Sequence, residues 1–257
     1  MIELHDVHKS LAGREVLRGV DLRIETGVAL AVLGPSGTGK SVLLKHVIGL
    51  LEPDRGDVLV GGRSIAHARY RELASIRSDM SYVFQDGALL DSLSVLENLR
   101  FAIDDAECRA DFECSLLRVI AALASVNLDE RVLDQLPGEL SGGMRKRVAV
   151  ARAIINAPSI ILYDEPTTGL DPRNVAAIDE LIRATHQRLN ATSVIVTHDL
   201  RGVANVADQV ALLEGGRIRF TGTPDELFQS EDPAVTKFLG HQPLEETWQA
   251  TRAAATR

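Results

Sequence analysis

The sequence predicts an α/β fold: a mainly parallel sheet with helices on both faces, an antiparallel β layer at the N-terminus and a helical subdomain inserted into the core. Three observations carry this. Short, nearly continuous apolar runs at residues 28–33, 159–163, 192–196 and 209–213 have the character of strands buried on both faces. Helical stretches alternate with these runs, the order expected of a parallel sheet. Residues 89–136 change to a leucine- and alanine-rich composition with helical periodicity.

In chain order, residues 2–7 alternate partly between apolar and polar side chains, as in a half-buried strand, and residues 16–24 repeat the pattern across the turn-like Ala12-Gly13-Arg14. These two stretches make the antiparallel layer. The buried run at 28–33 leads into a glycine-rich loop, and residues 41–50 then read as a buried helix. Val58-Leu59-Val60 with Gly61-Gly62 reads as a strand and a turn, and residues 80–84 as a further buried strand. The long helical segment follows, and the remaining apolar runs rebuild the core. Beyond Gly240 the chain is polar and alanine-rich.

A length of 257 residues suits one large domain, or one domain with a subdomain. The formal net charge of -8 argues against nucleic acid or anionic lipid as a direct partner, since both reward a basic face. Cys108 and Cys114 match no zinc-type spacing, and no signal peptide opens the chain, so two reduced thiols are expected rather than a disulfide. No apolar run approaches the ~20 residues of a membrane-spanning helix. Any membrane function is therefore expected to come from another chain.

The chemistry begins at Gly34-Pro35-Ser36-Gly37-Thr38-Gly39-Lys40-Ser41, which meets the spacing G-x-x-x-x-G-K-S in full. Glycines let backbone N–H groups turn inward around phosphate oxygens, and the following helix offers its positive end to the same anion. Lys40 is expected on the β- and γ-phosphates of ATP and Ser41 on Mg²⁺. A chance match is improbable for eight positions lying between a buried strand and a helix.

The run Ile160-Ile161-Leu162-Tyr163 ends in Asp164-Glu165, which brings two carboxylates to the sheet edge where ligands bind. Asp164 is expected to hold Mg²⁺ and Glu165 to orient and deprotonate the attacking water. Two acids closing a strand are commonly only solvated, and it is the company of the loop that favours the functional reading. Ser141 in Leu140-Ser141-Gly142-Gly143-Met144 reads as an N-cap. The helix it opens carries Met144, Val148, Ala151 and Ile155 on one face. Met144 stands where a capping-box Glu or Gln would reach back, so the first N–H groups are expected to stay free. That start is either a second anion site or a glycine-rich helix end without function. Gln85 and His198 each follow a buried strand. Gln85 is placed to contact Mg²⁺ or the attacking water and His198 to reach the γ-phosphate, although a lone Gln or His is more often structural.

These elements in this order resemble the nucleotide-binding subunit of ABC transporters over about residues 1–225. Residues 140–144 look like the family signature, Gln85 the Q-loop glutamine, Gly169-Leu170-Asp171 the D-loop and His198 the switch histidine. The resemblance implies a RecA-like phosphate-loop NTPase core within an ABC cassette of residues 1–240, its helical subdomain inserted at about 86–156. It implies a homodimer in which Ser141 and Gly143 of one copy contact the γ-phosphate held by the other, with Asp171 at the shared interface. A coupling helix of an integral-membrane permease is expected in the groove by the Q-loop. The chain would then lie on the cytoplasmic face of the inner membrane.

The family usually stacks adenine on an aromatic residue in the N-terminal layer. Here that position holds Leu11, which offers no π face, so looser base selectivity is expected. Residues 84–93, Arg77-Ser78-Asp79-Met80-Ser81, residues 144–147 and residues 232–240 are similar to the Mla and Mce type of bacterial lipid transporters. That similarity implies phospholipid or another hydrophobic lipid as cargo, with a lipid-binding Mce-type (MlaD-like) protein as a further partner. A cassette serving another substrate, or a soluble ABC ATPase such as an iron–sulfur assembly factor, are the alternatives. The segment 241–257, with Leu244 and Trp248 one helical turn apart, reads either as a helical arm on the partner ATPase subunit or as a frayed terminus.

Overall fold

The computed structural model describes residues 1–200 and 202–240. In chain order its elements are β1 (Ile2–Leu11), β2 (Arg14–Ile24), β3 (Ala29–Leu33), α1 (Lys40–Val47), β4 (Arg55–Val60), β5 (Arg63–Ser64), α2 (Tyr70–Arg77) and β6 (Met80–Val83). Then come α3 (Val95–Phe101), α4 (Ala106–Ala110), α5 (Phe112–Ser125), two 3₁₀ turns, α6 (Gly142–Ile154), β7 (Ile160–Asp164), α7 (Pro172–Leu189) and β8 (Thr192–Thr197). α8 (Val203–Val206), β9 (Gln209–Glu214), β10 (Arg217–Gly222), α9 (Pro224–Phe228) and α10 (Pro233–Gly240) complete it.

Two sheets result. An antiparallel sheet has the order β2-β1-β4-β5, its hairpin turning on Ala12 and Gly13, both left-handed. The larger sheet has the order β10-β9-β3-β8-β7-β6, parallel throughout except for β10. The period-2 alternation of the central strands divides the core. Leu30, Val32, Leu162, Val194 and Val196 face α1 and the antiparallel sheet, in one cluster with Leu43, Leu44 and Val47. Ile161, Tyr163 and Ile195 face the other way, against α6, α7 and the helices between β6 and β7. The C-terminal ends of β3, β7 and β8 thus share one sheet edge, and the loops leaving them carry the chemistry.

The α/β class and the antiparallel N-terminal layer agree with the sequence. Two assignments are sharpened. The strand at 58–60 is part of β4 and joins the antiparallel sheet, and β10 was not anticipated. β10 reads Arg-Ile-Arg-Phe-Thr-Gly along an edge strand with no fully buried residue, so it lacks the apolar density that marks a central strand.

The cysteine expectation is corrected. Asp105 caps α4 and Asp111 caps α5, each carboxylate accepting from two backbone N–H groups. Asp111, extended, ends α4 and opens α5, and across this break Cys108 lies beside Cys114, with the Cα atoms 5.3 Å apart and the sulfurs joined as a disulfide. The sequence argument rested on compartment and zinc spacing, neither of which reports on pairing six residues apart. The tail at 241–257, with Leu244 and Trp248, lies outside the described residues.

Candidate active site

The phosphate loop connects β3 to α1. Gly39 is the N-cap of α1, left-handed and without a side chain to cap it, so the first N–H groups of the helix face the loop unmasked. A Cβ at Gly39 would lie 2.8 Å from Val16 Cγ1, so the loop also packs closely on β2. Gly34 is more restricted still, because a Cβ there would come within 2.3 Å of the Leu213 carbonyl oxygen. That contact is with backbone and cannot be relieved by a rotamer. Gly34→Ala is expected to cost about 1–3 kcal/mol of stability. At this chain length that is a fall of roughly 2–12 °C in melting temperature, measurable by calorimetry, together with loss of nucleotide binding.

Lys40 is 5% exposed. Its Nζ donates to the carbonyls of Gly34 at 2.8 Å and Pro35 at 3.2 Å and lies 3.4 Å from Glu165 Oε1. Burial pushes its ammonium below the usual lysine range, while Glu165 and then Asp164 oppose that shift. Ser41 Oγ donates to Asp164 Oδ1 at 2.7 Å. Asp164 is the last residue of β7 and is buried at 6% exposure.

Glu165 comes one step later in a left-handed conformation, φ 48°, and its N–H bonds to Val196 O of the neighbouring strand. This strained step swings the carboxylate away from the line of the strand. Oε1 then meets Lys40, while Oε2 accepts from Thr168 Oγ1 at 3.1 Å and lies 2.8 Å from His198 Nδ1. The geometry is that of a positioned base with an orienting partner.

A cavity of about 510 Å³ opens over these groups. Ser36, Gly37, Gly39, Lys40, Ser41, Gln85, Glu165 and His198 line it, so residues from four separate stretches of the predicted set converge. Val16, Val42 and Thr168 also line it and were not anticipated. Leu11 is 39% exposed and does not line it. The aliphatic surface there comes from Val16 and Val42, which gives no support to Leu11 as the base-packing residue. Thr38 lines an adjacent depression with Arg14 and Arg18. Among the described residues there is no group of three or more His, Cys, Asp or Glu placed to hold a metal. Mg²⁺ is commonly held by one or two protein oxygens plus substrate phosphates. Ser41 and Asp164 are suited to that division.

Ser141, Gly143 and Asp171 do not line this cavity. Ser141 caps α6, with Oγ accepting from Met144 N at 3.2 Å. This is the N-cap expected of Ser141, and it occupies the Met144 N–H among the first N–H groups expected to stay free. Asp171 caps α7 and accepts the Asn174 amide at 2.5 Å. A Cβ at Gly143 would lie 2.7 Å from Asn174 Oδ1, so the 171–174 segment abuts the start of α6. The segment 85–88 is tied to the same helix, since Lys146 Nζ bonds Gln85 O, and Arg152 bonds Gly87 O and Ala88 O. These residues form a second constellation on α6 and α7, apart from the phosphate loop of their own chain.

The sequence pattern of the family described as "ABC transporter" matches residues 17–168. The chain is 39% identical over 240 residues to a "Probable ribonucleotide transport ATP-binding protein mkl" of Mycobacterium tuberculosis, covering 93% of this chain and 66% of that protein's length. It is 36% identical over 241 residues to the "Intermembrane phospholipid transport system ATP-binding protein MlaF" of Haemophilus influenzae, covering 93% of this chain and 90% of that one. Among solved structures, the dimeric post-hydrolysis state of the ATP-binding cassette MJ0796 bound to ADP and Pi superposes with a TM-score of 0.78 at 31% identity. That match covers 87% of this chain and 99% of the other.

Proposed function

This chain belongs to the ABC transporter family as an ATP-hydrolysing cassette, and from that premise we propose that it energises movement of phospholipid or another hydrophobic lipid across a bacterial envelope through a separate permease. The observation that carries the lipid reading is the near full-length likeness to a phospholipid-transport ATPase. It stands beside the similarity of residues 84–93 to that type. The mycobacterial relative's name points to ribonucleotide instead, but this chain spans only 66% of its length. No helix among the described residues is long and apolar enough to cross a membrane, so the proposal assigns translocation to a partner.

The active site works by position and charge. Lys40 and the first N–H groups of α1 bind the β- and γ-phosphates of ATP. Ser41 and Asp164, with Gln85 at the rim, would hold Mg²⁺, which when bound neutralises charge on the phosphate oxygens. Glu165 orients the water and accepts its proton as the water oxygen bonds to the γ-phosphorus. The bond to the β–γ bridging oxygen breaks and releases ADP and phosphate. His198 and Thr168 keep the Glu165 carboxylate turned toward the cavity. Ser141 and Gly143 of a second copy complete the site in trans, with Asp171 at the interface. This assignment is supported by their absence from the cavity of their own chain and by the dimeric form of the MJ0796 cassette. A lipid-binding Mce-type protein is the proposed further partner.

The test is affinity purification of the tagged chain from detergent-solubilised membranes of its host, with mass spectrometry of proteins and lipids. A membrane subunit carrying phospholipid is expected. A membrane subunit recovered with a water-soluble cargo protein and no lipid would overturn the lipid reading, and recovery of the chain alone would overturn the transporter.

A further inference from the structure

The carboxylate of Asp164 has two side-chain partners, and the reading of the site so far uses only one of them. Ser41 Oγ donates to Oδ1 at 2.7 Å, and the phenol of Tyr82 donates to Oδ2 at 2.7 Å. The sheet makes this second contact possible. Tyr82 on β6 is registered with Leu162 on β7, and side chains two apart along a strand share a face, so Tyr82, Leu162 and Asp164 all stand on the side covered by α1. A tyrosine is long enough to reach one residue pair up the sheet and meet the carboxylate, whereas a shorter side chain at 82 would stop beside Leu162. The ring also packs on Phe84, with centroids 4.3 Å apart and planes tilted by 36°.

We propose that Tyr82 is a positioning residue for the metal site: it fixes Oδ2 of Asp164, keeps Oδ1 beside Ser41 at the phosphate loop, and thereby sets the affinity of the nucleotide complex for its divalent cation. A buried carboxylate with one partner is free to rotate about its final bond, and a second donor on the opposite oxygen stops that rotation. Outer partners of this kind hold metal ligands in productive orientation, and their loss typically lowers metal affinity by 10–100-fold. The inference rests on the assignment of Ser41 and Asp164 to Mg²⁺ made above, and the experiment separates the two.

Mn²⁺ serves as the probe, its free concentration followed by electron paramagnetic resonance in the presence of ADP, for the full chain and for Tyr82→Phe and Asp164→Asn. ADP affinity is measured in parallel in EDTA. Tyr82→Phe keeps the ring packed on Phe84 and removes only the hydroxyl. It is expected to weaken Mn²⁺ binding about 10-fold while leaving ADP affinity in EDTA unchanged and lowering the melting temperature by no more than a few degrees, roughly the cost of one hydrogen bond. Asp164→Asn is expected to weaken Mn²⁺ at least as much. If Asp164→Asn weakens Mn²⁺ and Tyr82→Phe does not, Tyr82 only packs and the inference is overturned. If neither variant changes Mn²⁺ affinity, the metal assignment fails and takes the inference with it. An equal loss of ADP affinity in EDTA would mean a disturbed pocket rather than a misplaced carboxylate, which also overturns it.

Discussion

Glu165→Gln is expected to bind ATP with unchanged affinity and to hydrolyse it about 10²–10⁴-fold more slowly, the range by which a positioned general base accelerates such a step. The replacement is nearly isosteric, so the amide still fills the space between Lys40, Thr168 and His198. What it loses is the capacity to take a proton from water. The Lys40 contact at 3.4 Å becomes ion–dipole rather than ion–ion, which leaves the Lys40 ammonium in place for the phosphates. Since hydrolysis is what would release the ATP-joined dimer, this variant is expected to elute at dimer mass in ATP and as a monomer without it. Single-turnover measurement with radiolabelled ATP, paired with size-exclusion chromatography, reads both effects. Turnover within a few-fold of the unmodified chain would remove Glu165 as the base.

The second large effect is expected at a residue outside the cavity. Ser141→Arg leaves the phosphate loop of its own chain untouched, yet hydrolysis is expected to fall by at least about 10²-fold, the usual cost of losing a donor aimed at transition-state charge. The stability cost should be limited to the N-cap, about 1 kcal/mol. α6 itself is anchored by buried Val148, Ala149 and Val150 and by Lys146 on Gln85 O. A folded protein that still binds ATP but cannot turn it over therefore separates damage to the trans contact from damage to the fold. Equilibrium ATP binding and circular dichroism on the same preparation make that separation.

The parts of this site that could be read from the sequence are those encoded locally. The glycine spacing from Gly34 to Ser41, the acids closing β7 and the serine opening α6 each lie within a few residues; the first speaks for a phosphate loop by spacing alone, the acids gain a role from its company, and the serine gains one only from the family resemblance. What could not be read depends on how distant segments register. Tyr82 touches Asp164 because β6 pairs with β7 in one particular offset, which no local pattern specifies. Thr168 reaches Glu165 because Glu165 adopts a left-handed conformation, and nothing in Asp164-Glu165-Pro166 announces that. Val16 joins the cavity because Gly39 lets β2 approach the loop, whereas Leu11, placed there by comparison of short segments, stays outside. β10 was missed because an edge strand alternating Arg, Ile, Arg and Phe has too little apolar density to stand out. The disulfide was missed because Cys108 and Cys114 meet across the break at Asp111 between α4 and α5, which the spacing of the cysteines does not announce.

The central claim is that each active site is shared between two copies, the phosphate loop from one and the start of α6 from the other. Mixing two inactive variants tests it most directly. Ser141→Arg keeps its phosphate loop and loses its trans contact, while Lys40→Ala keeps the contact and loses the loop. With sharing in trans, an equal mixture restores hydrolysis up to about a quarter of the unmodified rate, because half of the dimers are mixed and each of those holds one complete site. If each chain completed its own site, every site in the mixture would carry one defect. The mixture would then stay as inactive as its components, and the shared-site account would be wrong.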